Sequence, residues 1–147
     1  MFLTRSASVT VGPFERTTMG LELEAARQKL TQQVPTWQGQ LDEVTGGGVE
    51  LEVDPVGLPT GPNTLKRFIN HAFDGLRAAL TEVASDARFA EYFKTRVSKI
   101  LLRNDETAPV SRFDYEPGRR KLVIICSPEL RHWVDGYGLQ EFLRHEL

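Results

Sequence analysis

Apolar residues recur along the chain with two periods, and the change of period marks the elements. Leu65, Phe68, Ile69, Ala72, Phe73, Leu76, Leu80 and Val83 keep to one helical stripe over five turns, with Asn63 ahead of them as a cap. Leu21, Ala25, Ala26 and Leu30 predict an earlier helix from about Gly20 to Val34, with Pro35 as its stop. Trp37, Leu41 and Val44 predict a short second helix that ends at Gly46-Gly47-Gly48. Asp86 caps a further short helix carrying Phe89 and Phe93.

Elsewhere the period is two. Val49-Glu50-Leu51-Glu52-Val53 alternates strictly, as a strand with one buried face does. Ser6 to Val11 leans the same way, and Val97 to Arg103 reads as another strand. Arg112 to Tyr115 and Lys121 to Cys126 predict a hairpin joined through Glu116-Pro117-Gly118-Arg119-Arg120. Leu122-Val123-Ile124-Ile125-Cys126 is apolar throughout, which predicts a central strand covered on both faces. A last helix follows Gly136 and Gly138, with Leu139, Phe142, Leu143 and Leu147 inward. The expected fold is α+β. A small mixed or antiparallel sheet with a C-terminal β-hairpin packs against one long and several short helices, in a single domain over residues 1–147.

Composition narrows the class. The 147 residues are 40% hydrophobic and 26% charged, which suits a folded soluble domain rather than a disordered chain. A net charge of -2 argues against a general nucleic-acid binder. No apolar run has the length of a membrane span, and the start of the chain lacks the apolar core of a Sec signal. The expectation is synthesis in the cytoplasm, with secretion by a non-Sec route left open. The single Cys126 excludes an intramolecular disulfide framework. It does not open a phosphatase loop either, because only four residues separate it from Arg131 and one of them is Pro128. Gly46-Gly47-Gly48 precedes a strand instead of a helix, so it reads as a turn and not as a phosphate cradle.

Charge is unevenly placed. From Glu22 to Asp54, seven acidic residues (Glu22, Glu24, Asp42, Glu43, Glu50, Glu52 and Asp54) stand against two basic ones, Arg27 and Lys29. Around the hairpin the balance reverses, with Arg112, Arg119, Arg120 and Lys121 among the basic residues. Arg112, Arg119 and Arg120, with Trp133 and Tyr137 nearby in sequence, are candidate partner-binding residues, since arginine and aromatic side chains anchor interfaces.

The last residues, Leu143-Arg144-His145-Glu146-Leu147, carry the one chemical motif. His-Glu on a helix is the first half of H-E-x-x-H, in which two histidines one turn apart hold zinc and the glutamate acts as base. With the apolar strand Lys121–Cys126 before it, this segment resembles the N-terminal half of a zincin-type metallopeptidase of the compact kind found among bacterial effectors. The resemblance implies that His145 is a zinc ligand and Glu146 the general base. The second histidine would fall at position 149, so the motif is incomplete, and zinc would bind only if other residues complete the site. His71 and His132 are the other histidines. Two functional readings stand open. One is a zincin-related domain, inactive as this chain. The other is a non-catalytic protein-binding module (an adaptor, chaperone or immunity-type protein) that meets a protein or peptide through the basic hairpin and binds neither nucleic acid nor membrane. The oligomeric state is not legible.

Overall fold

The computed structural model describes residues 13–127 and 134–147, with side chains from residue 20 onward. The expected strand at Ser6–Val11, and the positions of His132 and Trp133, lie outside the described residues. The elements run α1 (Pro13–Thr45), β1 (Glu50–Val53), α2 (Pro62–Ala84), α3 (Ala87–Arg96), β2 (Lys99–Asn104), β3 (Arg112–Glu116), β4 (Lys121–Cys126) and α4 (Gly136–Glu146). A 3₁₀ turn at Pro117–Arg119 joins β3 to β4. The fold is α+β, as expected.

The four strands form one mixed sheet in the order β1-β2-β4-β3. β1 pairs parallel to β2, and β2 parallel to β4. β3 closes the sheet as the antiparallel arm of the C-terminal hairpin. Val49, Leu51, Ile100, Leu102, Leu122, Ile124 and Cys126 face the helices and join their core. The opposite sheet face carries Glu50, Glu52, Lys99 and Arg103 around Leu101 and Val123. Lys99 Nζ reaches Glu50 at 3.8 Å and Glu52 at 3.7 Å, and Arg103 Nε donates to Asp54 at 2.9 Å. The expectation that β4 is covered on both faces therefore needs correction. Its helix-facing residues are buried and Val123 is shielded, but Ile125 stays half-buried on a face that no described helix covers.

The stripe read on α2 is the stripe that packs: all eight of its residues are buried. Burying each large apolar side chain of this kind stabilises the fold by roughly 1.5–3 kcal/mol. Its entry differs from the expectation at Asn63. Gly61 is the N-cap, no side chain caps it, and Pro62 occupies the first turn, where a missing amide costs nothing. Asp86 caps α3 as read, accepting from the amides of Arg88 (3.0 Å) and Phe89 (3.4 Å).

Pro35 does not stop α1. The helix continues through it as one 33-residue element. An interior proline costs about 3 kcal/mol because it removes one helix hydrogen bond and crowds the preceding turn. Burial on both sides offsets this. Ala26 and Leu30 before the proline, and Trp37 and Leu41 after it, lie on one face against the same core. The Trp37 ring stacks on Phe73 at 5.7 Å and 12°. The same stripe, extended backwards, reaches Leu23 and not Leu21, which is 65% exposed.

Two close approaches fix the frame. Gly46, Gly47 and Gly48 all have positive φ (82°, 90° and 88°) and turn the chain from α1 into β1. Gly75 on α2 leaves room for the segment entering α4: a Cβ there would lie 2.3 Å from the Val134 carbonyl oxygen. Asp135 then caps α4, accepting from the Gly138 amide at 3.1 Å. Among the described residues, no helix is long and apolar enough to cross a membrane.

Candidate protein-binding site

α4 rests on α2 through the buried Leu139 and Leu143, and touches β3 where Phe142 meets Phe113 at 5.8 Å. In its last turn Leu143 stays in the core, while Arg144, His145 and Glu146 face outward. The His145 side chain is 72% exposed, with Nε2 3.7 Å from Glu141 Oε1, and Glu146 is exposed beside it. His71 is also exposed, 3.8 Å from Asp74 on the outer face of α2. No group of three or more His, Cys, Asp or Glu side chains is placed to hold a metal among the described residues. A catalytic zinc needs three protein ligands, and the described residues do not offer them.

The hairpin residues do not form one patch. Arg112 starts β3, at the end of the sheet where the Asp135 amide donates to Ser111 Oγ, and Tyr137 stands 73% exposed at that same end. Arg119 and Arg120 lie at the opposite end of β3. Arg112 and Arg119 make loose pairs with Asp105 (3.5 Å) and Glu116 (3.9 Å). Arg120 is exposed but already bonded within the chain. It adopts a left-handed backbone (φ 51°), and its guanidinium donates to the carbonyls of Lys94 (2.7 Å) and Thr95 (3.2 Å), clamping the end of α3. Cys126 is fully buried, and burial pushes its thiol up to about 12, so it is no nucleophile.

A larger feature lies across the molecule. A groove of about 790 Å³ runs between α1, β1 and the loop that follows β1. Leu30, Val34 and Pro35 line its helix side, Leu51 and Val53 its floor, and Leu58 its far wall. That wall is pinned. Asn104, buried at the end of β2, donates from Nδ2 to the Gly57 carbonyl at 2.8 Å. Gly57 has φ 87° and approaches so closely that a Cβ would lie 2.5 Å from the Asn104 carbonyl oxygen. Asp54 tightens the same turn. Its carboxylate accepts from the Val56 amide at 2.9 Å and from Arg103, and these bonds hold it below the ordinary aspartate value.

The groove borders the open edge of the sheet. The amides of Glu50 and Asp54 bond the carbonyls of Ser98 (3.0 Å) and Leu102 (2.8 Å), so Glu50, Glu52 and Asp54 turn their backbones toward β2. By strand alternation Val49, Leu51 and Val53 turn theirs outward. Gln38 on α1 occupies half of that edge. Its Nε2 donates to the Val49 carbonyl at 2.8 Å, and its Oε1 accepts from the Leu51 amide at 2.7 Å. The Leu51 carbonyl and the Val53 amide have no hydrogen-bond partner among the described residues. Pro35 adds a third open group, because the Thr31 carbonyl on the groove-lining row of α1 has no amide four residues on.

None of these groove residues was singled out as a site from sequence. They come from two stretches far apart in sequence, 27–35 and 51–60, and the only signal was indirect: the alternating strand Val49–Val53 followed by a stretch rich in proline and glycine from Pro55 to Pro62. No protein-family model, curated protein or solved structure matches the chain.

Proposed function

We propose that this protein is a non-catalytic protein-binding module whose contact surface is the α1–β1 groove. The observation that carries the reading is the groove itself: a preformed concave, largely apolar site beside unpaired strand backbone. Its volume falls in the range of roughly 300–1,000 Å³ typical of ligand sites. The pinning of its wall by Asn104 and of its floor by Gln38 means that little order need be gained on binding. The hairpin supports a contact surface less well, because its arginines are split between two ends and Arg120 is engaged in the fold. The exposure of His145 and the lack of a ligand trio among the described residues favour this reading over the zincin-related one.

The test is a comparison of captured partners by quantitative mass spectrometry after cross-linking in the native host. Val34→Glu combined with Leu58→Asp should lose the partners that the wild type captures, while Arg112→Glu combined with Arg119→Glu should keep them. The reverse pattern would move the contact surface to the hairpin. Stoichiometric zinc by elemental analysis of the metal-incubated protein would favour the zincin-related reading instead.

A further inference from the structure

We infer that the groove takes an extended peptide strand bearing an acidic residue, which adds to the free edge of β1. The inference rests on the protein-binding reading above and names the kind of partner. Three observations converge on it.

The first is the pattern of backbone groups. An edge strand normally has its exposed amides and carbonyls blunted by charge, proline or a covering element. Gln38 blunts only the first half of β1. The second half presents an acceptor at Leu51 and a donor at Val53, one strand repeat apart, at the groove's floor. That spacing suits the backbone of an extended chain. A helix has no amides or carbonyls to spare along its length, so it leaves both groups unpaired.

The second is the apolar lining. Side chains alternate along an added strand, so every second residue would point down between Leu30, Val34 and Leu58. Apolar residues at alternate positions fill that space, and the intervening residues face solvent.

The third is charge. Two charged residues line the groove, Arg27 and Glu52. Glu52 is already met by Lys99 Nζ at 3.7 Å. Arg27 makes no ion pair among the described residues. The groove therefore offers one unanswered cation, and an aspartate or glutamate in the peptide complements it.

The experiment selects peptides from a displayed random decapeptide library on the immobilised full chain, then synthesises the best one. The selected peptides are expected to carry apolar residues at alternate positions and an Asp or Glu. Methylation of single backbone nitrogens should weaken binding at least tenfold at alternate positions and less than twofold between them. Arg27→Glu should weaken the acidic peptide at least tenfold, and a peptide with Lys in place of the acid should recover most of that loss. The methylation series changes only the peptide, so it does not depend on a variant folding. Selected peptides with a helical period, or a methylation profile without alternation, would overturn strand addition while leaving the groove as a binding site. Indifference to Arg27→Glu would overturn the acidic requirement. No enrichment on the wild type over the Val34→Glu, Leu58→Asp variant would overturn both this inference and the function it rests on.

Discussion

Gln38 ties α1 to the edge of β1 by two hydrogen bonds, and its removal has a calculable effect. Gln38→Ala deletes the donor to the Val49 carbonyl (2.8 Å) and the acceptor for the Leu51 amide (2.7 Å). Each bond is worth about 1 kcal/mol net. The exposed groups sit at a sheet edge where water can reach them, so the penalty for leaving them unpaired is partial. Alanine returns a few tenths of a kcal/mol in helix propensity. The expected loss is about 1.5–2 kcal/mol, or a fall in Tm of about 3–8 °C for a chain of this size. Gln38→Glu is the informative companion. It keeps an acceptor for Leu51 but loses the donor to Val49, and it sets a carboxylate where Gln38 Nε2 now donates to Asp42 at 3.0 Å. At pH 7 it should be less stable than Gln38→Ala, and acid should narrow the gap as the introduced carboxylate protonates. Urea unfolding followed by circular dichroism measures all three proteins. A Gln38→Ala loss below about 0.5 kcal/mol, with Gln38→Glu no worse, would refute the clamp. Gln38→Ala also frees the whole first half of the β1 edge and Gln38→Glu only its Val49 carbonyl, so concentration-dependent association in sedimentation should rise more in the alanine variant.

Other expectations follow from single contacts. Gly75→Ala should destabilise by more than about 2 kcal/mol, although alanine favours helix, because its Cβ would meet the Val134 carbonyl backbone at 2.3 Å; thermal unfolding reads this directly. Asp54 has a folded-state acidity set first by the Val56 amide and then by Arg103, which lower its pKa below 3.8. Its contribution is therefore complete above that ordinary value and is lost as pH falls through the lower folded one. Asp54→Asn should be less stable than wild type at pH 7 and should flatten the stability profile below about pH 4, as urea midpoints across pH would show; parallel profiles would count against it. Cys126, with its thiol raised to about 12 by burial, should not react with a disulfide reagent at pH 8 in the native protein and should release one equivalent after unfolding. Reaction in the native state would mean that β4 opens.

Much of the fold was legible because its signals are local. The α2 stripe and the Asp86 cap each depend on residues within one element, and the structure has them where the periodicity put them. The β3–β4 hairpin was equally plain from its turn. Pro35 was misread because propensity is also local, while the energy that carries the helix through it is not. Trp37 on Phe73 and Leu41 in the core hold the second half of α1 in line with the first. The candidate site was hidden for the same reason. Gln38 reads as an ordinary polar helix residue until β1 folds back beside it across the triple-glycine turn. Asn104 falls just past the strand read from sequence, Val97 to Arg103, and shows no role until the Gly57 loop arrives. Conversely, His145 and Arg120 looked functional by residue type. Packing sends the first to solvent and uses the second to close α3.

The lopsided sheet has a consequence for the order in which the molecule comes apart. β2 and β4 share six paired positions at its centre, whereas β1 contributes four and is bonded by strand on one side only. Local opening is cheapest where few backbone bonds must break together. The amides of Glu52 and Asp54 should thus exchange with solvent hydrogen sooner than those of Leu101 or Ile124, whose backbones bond within the β2–β4 pair. A chain docked along β1 would bond it on both sides, and occupancy would register as slowed exchange across β1 without any displacement of the backbone.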